Sequence, residues 1–227
     1  MLSVIIPTYN ERENIGPLVK RLAAAMEDYE VIFVDDNSPD GTGGLIEALS
    51  RENPCLRIVK RKGKLGLSGA VAEGARAARG EIILVMDADL SHPPEKAAEL
   101  VSALSGCDLA IGSRLARGGG VENWPIYRRI ISSGAELLAR IFVNCKTTDP
   151  LSGFFAIRKP VFLNTRLRTR GYKLLLNILA DNPGIRICDI PYFFRDRNAG
   201  KTKLGPSEVA NYLADLFRIR FGAAAKD

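Results

Sequence analysis

The stretch Glu81-Ile82-Ile83-Leu84-Val85-Met86-Asp87-Ala88-Asp89-Leu90-Ser91-His92-Pro93-Pro94 decides the fold. It opens with a short continuous apolar run, the pattern of a strand buried on both faces. The run stops at two carboxylates separated by one residue, and Pro93 and Pro94 then open a helix to about Leu104. The same alternation repeats outward. Leu2 to Pro7, Glu30 to Val34, Leu56 to Val59 and Leu109 to Ile111 read as further strands. Between them, Ile15, Leu18, Val19 and Leu22 mark one face of a helix running to about Met26, with Asn10 and Glu13 at capping-box spacing and Asn10 as the cap. Leu45, Ile46 and Leu49 mark a second helix, and the Gly- and Ala-rich Gly66 to Ala78 a third that must lie close against its neighbour. Strands alternating with helices predict βα units, hence an α/β fold with a mainly parallel sheet flanked by helices.

Beyond Ile111 the pattern changes. Gly118-Gly119-Gly120 reads as a flexible loop, Ile126 to Val143 as a long amphipathic helix and Phe154 to Ile157 as a strand. Tyr172 to Leu179 reads as a helix, Ile185 to Ile190 as a strand, Arg195 to Pro206 as a polar loop, and Ser207 to Phe221 as a helix capped by Ser207. At 227 residues, with no internal repeat or linker, the chain reads as a single domain, 1–227, whose two halves meet near residue 113. Its 46% hydrophobic and 26% charged content is ordinary for a globular protein, which excludes disorder. No apolar run reaches the roughly 18 residues a membrane-spanning helix needs, and no leader opens the chain, so the expectation is a cytoplasmic protein or one resting on a membrane face. Cys55, Cys107, Cys145 and Cys188 form no C-x-x-C pair, which argues against zinc and for reduced, buried thiols. The net charge is +6, with cations clustered at Arg57 to Lys64, Arg114 to Arg129, Arg158 to Lys173 and Arg195 to Lys203. Such clusters suit an anionic substrate or lipid. Nucleic acid is not expected, because the aromatic-basic surface motifs of those binders are missing.

The chemistry starts from Asp87 and Asp89. Carboxylates just past a buried strand sit at the edge where open α/β sheets bind ligands. Two of them, one residue apart, can address one hard cation or its water shell, and such a cation would stabilise a diphosphate leaving group. Asp35 and Asp36 end the second strand in the same way, where a carboxylate can accept hydrogen bonds from a base or ribose. Tyr9 can lie against a base and Glu11 can bind a ribose hydroxyl. His92 is the single histidine, so no Ser-His-Asp or Cys-His arrangement is available; its place between Ser91 and Pro93 suits loop packing, with a supporting role beside Asp89 left open. No G-x-x-x-x-G-K-[ST] or G-x-G-x-x-G segment follows the first strand, which counts against an NTPase and a dinucleotide oxidoreductase.

Three segments then carry a specific resemblance: Pro7-Thr8-Tyr9-Asn10-Glu11, Val34-Asp35-Asp36-Asn37-Ser38-Pro39-Asp40-Gly41-Thr42 and Met86-Asp87-Ala88-Asp89-Leu90-Ser91-His92. Together they resemble the family 2 glycosyltransferases. Gly112-Ser113-Arg114, Asp149-Pro150-Leu151-Ser152-Gly153-Phe154 and Arg197-Asn198-Ala199-Gly200-Lys201-Thr202-Lys203-Leu204 narrow the resemblance to the polyprenyl-phosphate branch, the dolichyl-phosphate mannosyltransferases. It covers nearly the whole chain.

The resemblance implies a GT-A fold, with residues 1–113 binding the nucleotide-sugar and residues 114–227 the acceptor. It implies an inverting, metal-dependent transfer of mannose from GDP-mannose to dolichyl or another polyprenyl phosphate, with a UDP-sugar-using glucosyltransferase as the alternative. Pro7, Tyr9, Glu11, Asp36, Asp87, Ala88, Asp89 and Lys203 would line the nucleotide-sugar pocket. Asp87 and Asp89 would hold Mg²⁺ or Mn²⁺. Some relatives add a Gln where this chain has Ser91, so Ser91 is a weaker candidate ligand. Arg114, Arg128, Ser132 and Arg197 would hold the acceptor phosphate, making Asp89, Arg114 and Arg197 the catalytic set. A phosphate monoester carries between one and two negative charges near neutrality, and guanidinium groups bind its oxygens in pairs. A lipid acceptor implies work at a membrane surface, on its cytosolic face, either by peripheral docking, through separate anchoring subunits, or through further segments of a longer protein.

Overall fold

A computed structural model describes residues 1–122, 125–167, 174–195 and 206–221, with the backbone alone for 127–129 and 206–211. In chain order the elements are β1 (Leu2–Thr8), α1 (Arg12–Ala25), β2 (Tyr29–Asp35), α2 (Thr42–Glu52), β3 (Leu56–Lys60), α3 (Leu67–Ala77) and β4 (Ile82–Val85). A 3₁₀ turn (Pro94–Lys96) leads into α4 (Ala97–Ala103) and β5 (Leu109–Ser113). Then come β6 (Gly120–Val121), α5 (Ile126–Val143), β7 (Phe155–Arg158), α6 (Lys159–Leu163), α7 (Leu174–Asp181), β8 (Ile187–Pro191), β9 (Phe193–Phe194) and α8 (Pro206–Phe221).

Seven strands form one sheet in the order β3-β2-β1-β4-β7-β5-β8. All neighbours are parallel except β7, which runs antiparallel to both β4 and β5. The apolar runs are continuous because both faces are covered. Val4 and Ile6 of β1 join one core with α1, α2 and α4, while Ile5 joins a second with α3, α6 and α7. A third cluster, Ala139, Leu176, Leu216 and Ile219, ties α5, α7 and α8 together. β1 at the centre, flanked by β2 and β4, brings the ends of three parallel strands to one edge.

Four expectations need correction. Asn10 does not cap α1: it is left-handed (φ 61°), the helix starts one residue after Glu11, and Asn10 N–H instead donates to Ser38 Oγ at 3.0 Å. Ser207 lies inside α8, which begins at Pro206, because proline's fixed φ suits a first helical residue. The three glycines are built in rather than loose. Gly120 pairs in β6, and a Cβ on Gly119 would meet the Ser113 carbonyl oxygen at 2.6 Å. Cys55 is exposed, unlike Cys107; all four cysteines are unbridged. At Cys107, burial is the main cause of a thiol pushed up to about 12, with Cys188 adding to it. Residues 172 and 173 lie outside the described set, so the helix expected from Tyr172 is seen from Leu174.

The Gly- and Ala-rich helix behaves as its composition predicts. α3 presses so closely on the sheet that a Cβ at Gly74 would stand 2.6 Å from Ile5 Cγ2 and 3.0 Å from Val34 Cγ2. Gly74→Val should therefore destabilise the protein by about 1–3 kcal/mol through overpacking. Urea denaturation should show a lower midpoint with an unchanged slope.

Candidate active site

The end of β4 shapes the acidic loop. Asp87 N–H donates to His92 Nδ1 at 3.0 Å, which leaves the imidazole proton on Nε2. His92 is 2% exposed, stacks on Phe154 with centroids 5.0 Å apart, and meets Tyr192 and Phe194 edge-on. Burial, the largest influence, lowers its pKa and favours the neutral ring, against the pull of Asp87 and Asp89. His92 is therefore a packed strut that holds the Asp87 backbone. Leu90 takes a left-handed conformation (φ 62°), and the turn directs Ser91 N–H and Oγ onto Asp89 Oδ1 at 3.0 and 2.6 Å. Ser91 is buried and acts through Asp89.

This donor set fits a hard divalent cation. Both groups offer carboxylate oxygen, Asp87 retains 36% side-chain exposure, and the only nearby nitrogen ligand has its Nδ1 engaged by the backbone. Among the described residues no group of three or more His, Cys, Asp or Glu forms a closed cage. A cation here would complete its shell with substrate oxygens and water, as Mg²⁺ commonly does.

The acids at the ends of β1 and β2 are more committed. Asp36 pairs with Arg61 at 2.5 Å and accepts the Leu65 N–H at 3.2 Å. Arg61 also reaches Glu73, at 3.0 Å, so Asp36 anchors the 61–66 loop to the sheet edge. Asp35 gathers Thr8 and Ser38. Glu11 accepts from Asn14 at 2.7 Å. Tyr9 is exposed, with Lys64 Nζ 4.3 Å above its ring. Pro7 is half-buried and Ala88 buried in the same edge. Arg61 and Lys64 were not singled out individually in the sequence; both belong to its first cationic cluster.

Arg114, at the end of β5, lies in the same block. Its Nε and Nη2 bind Asp149 Oδ2 and Oδ1 at 2.7 and 2.8 Å, and its backbone N–H adds a third bond to Asp149 at 3.2 Å. Glu136 approaches its Nη2 to 3.6 Å, and the guanidinium lies over Phe194. Arg114 is largely buried, which works to lower its pKa, but its carboxylate neighbours, Asp149 first, raise it. The fork expected to meet substrate thus already holds a carboxylate. Ser132 likewise donates to Glu136, at 2.8 Å.

The Asp149–Phe154 loop joins the two sides. A Cβ on Gly153 would lie 3.4 Å from His92 Cε1 and 3.8 Å from Asp87 Oδ2. Ser152 Oγ donates to Gly112 O at 2.6 Å, and Gly112 is pressed on Phe154. Behind the loop, Asp189 on β8 accepts from Thr147 and Thr148. The acidic pair and Arg114 therefore share one edge. The Arg128 side chain, Arg197 and Lys203 lie outside the described residues. Asp149, Asp189 and Glu136 were given no role from sequence. Asp149 and its loop stood within a quoted motif, whereas Glu136 and Asp189 carry no local signal.

Comparisons with known proteins bear on the family and the fold. The family model described as "Glycosyl transferase family 2" matches residues 3–165. A dolichol-phosphate mannosyltransferase of Pyrococcus furiosus is 43% identical over 223 residues, covering 96% of this chain and 63% of that protein. One of Saccharomyces cerevisiae is 39% identical over 238 residues, covering 97% and 88%. Among solved structures, glucosyl-3-phosphoglycerate synthase from Mycobacterium tuberculosis, crystallised with Mn²⁺, UDP and glucosyl-3-phosphoglycerate, superposes with a TM-score of 0.68 at 20% identity, over 97% of this chain and 80% of that one. That likeness establishes the GT-A fold.

The buried pair generates a stability prediction. Asp149 is fully buried and Arg114 nearly so. Asp149→Ala leaves a cation without its main partner and should cost about 3–5 kcal/mol. Chemical denaturation should show that loss, and a cost below about 1 kcal/mol would contradict the buried pairing.

Proposed function

The chain belongs to glycosyl transferase family 2, and on that premise we propose that it transfers mannose from GDP-mannose to dolichyl or another polyprenyl phosphate. The observation that carries the reading is the shared edge, where Asp87 and Asp89 stand one loop away from Arg114. The relatives of P. furiosus and S. cerevisiae are named for the mannose and the dolichol phosphate. Residues 1–113 would hold the donor and 114–227 the acceptor.

Pro7, Tyr9, Glu11 and Asp36 would line the base and ribose pocket, with Lys203 on the donor phosphates. Arg114, Arg128, Ser132 and Arg197 would hold the acceptor phosphate. Mg²⁺ or Mn²⁺ at Asp87 and Asp89 would screen the diphosphate charge and stabilise it as a leaving group. The acceptor is already an anion at neutral pH, so its attack on the anomeric carbon needs no proton removed. That matches an edge whose one histidine is sealed inside the packing. The protein's work is then orientation, charge complementarity and exclusion of water. In-line attack inverts the centre, giving a β-linked lipid product from an α-linked donor.

A lipid substrate calls for a membrane surface. α5 exposes Ile126, Ile130, Ile131 and Ile141, and α8 exposes Phe217 and Phe221 beside Arg218 and Arg220. Exposed apolar side chains beside cations are the composition of interfacial helices. No helix among the described residues is long and apolar enough to cross a membrane.

Purified protein with short polyprenyl phosphate, Mg²⁺ or Mn²⁺ and a panel of nucleotide-sugars should consume GDP-mannose and yield a β-mannosyl product by NMR. Use of UDP-glucose instead would favour a glucosyltransferase, and an α-linked product would refute inversion. Asp89→Ala should lower kcat by about 10²–10³-fold or more with the fold intact, as loss of a transition-state charge group does. Near-normal turnover with saturating Mn²⁺ would remove the metal assignment. Vesicles containing anionic lipid should carry the protein upward in flotation, and Ile130→Asp with Ile141→Asp should abolish this without lowering the melting temperature.

A further inference from the structure

Ser132, Glu136 and Arg140 fall at successive turns of α5, on the side facing Arg114. Glu136 is 2% exposed, a rare state for a carboxylate. Its Oε1 accepts from Ser132, but its Oε2 is buried with no hydrogen-bond partner among the described residues, and neither has Arg140 Nε. A buried carboxylate oxygen left unmatched is costly, so a modest gain of negative charge nearby suffices to add a proton.

Among the described residues, the charged and titratable groups facing Glu136 are Arg114 from β5, Asp149 from the loop before β7, Arg140 from α5 and Tyr212 from α8. Arg114 and Arg140 are cations, Asp149 and Glu136 carboxylates, and Tyr212 stays neutral because burial raises its pKa. With Glu136 ionised the cluster sums to zero. An arriving phosphate would then meet no net positive charge from it and would lie beside a carboxylate.

We infer that Glu136 takes up a proton when the acceptor phosphate binds beside Arg114 and Ser132, an inference that rests on the acceptor site proposed above. Protonation leaves the cluster one unit positive. A proton on Oε1 also turns that oxygen into a donor, so the Ser132 hydroxyl no longer donates to it and can face a phosphate oxygen. Glu136 is thus a positioning residue, acting through Ser132 and Arg114. The local field leans the same way. Burial, the largest influence, raises the carboxyl pKa and Asp149 adds to it, against Ser132, Arg114 and Arg140.

Calorimetric binding of short polyprenyl phosphate at pH 8, in buffers of different ionisation enthalpy, counts the protons directly. The acceptor, with a second pKa of about 6, is already the dianion at that pH, so uptake belongs to the protein. Wild type should take up close to one proton per acceptor bound, and Glu136→Gln, which keeps the shape and a hydrogen bond to Ser132, close to none. From pH 7 to pH 9 the wild-type acceptor KM should rise up to about tenfold per pH unit, the limit for one linked proton, while kcat and the Glu136→Gln KM change little. No uptake in wild type, or equal uptake in both proteins, overturns the role of Glu136. Ser132→Ala keeps the two readings apart: it should weaken acceptor binding, and unchanged affinity would overturn the acceptor site along with the inference.

Discussion

Asp149 sits fully buried at the end of a polar loop, and three donors from Arg114 converge on its carboxylate. Burying that pair carries a desolvation cost that only such saturated geometry offsets. From it the rest of the edge is positioned. The backbone that places Asp149 also places Gly153 against Asp87, while Phe154 stacks on the histidine that holds Asp87 N–H. Asp189 fixes the loop from behind through Thr147 and Thr148. The acidic pair and Arg114 are thus registered by one continuous set of short contacts. Catalysis that depends on orienting two anions needs such rigidity.

The same packing assigns unequal roles to the acids at the edge. Asp36 and Asp35 are tied to Arg61, Thr8 and Ser38 and define the pocket wall. Asp87, by contrast, keeps part of its carboxylate open to solvent. A cation is best served by the second kind of group. On the proposed acceptor side, Arg114 and Ser132 already hold carboxylates, Asp149 and Glu136. A phosphate bound there, as proposed, would meet guanidinium and hydroxyl groups that already have carboxylate partners among the described residues.

The first half of the fold was legible because each strand is an apolar run and each helix carries one apolar stripe. β1 to β5 and α1 to α4 appear close to their expected bounds, and α5 matches its expected span from Ile126 to Val143. The antiparallel insertion of β7 was not legible, since nothing within Phe155–Arg158 states which neighbours a strand will choose. β6 and β9 are two residues each, too short to show periodicity. Asn10 misled because its spacing to Glu13 suits a cap, whereas the turn into α1 needs a left-handed residue there. Asp87, Asp89 and Arg114 stand in motifs visible in the sequence, and the fold brings them to one edge. Glu136 carries no such signal, for a glutamate one turn from a serine looks like any solvated helix face until Arg114, Asp149 and Tyr212 close around it.

The central claim is that the acidic pair and the acceptor phosphate meet at one edge. Phosphorus NMR of short polyprenyl phosphate bound together with GDP and Mn²⁺ tests it most directly, because paramagnetic broadening falls off steeply with distance. The account predicts strong Mn²⁺-dependent broadening of the acceptor phosphorus signal, lost in the Asp87→Ala, Asp89→Ala double variant. An acceptor signal that shifts on binding yet stays sharp with Mn²⁺ present would place the two sites apart and contradict the account.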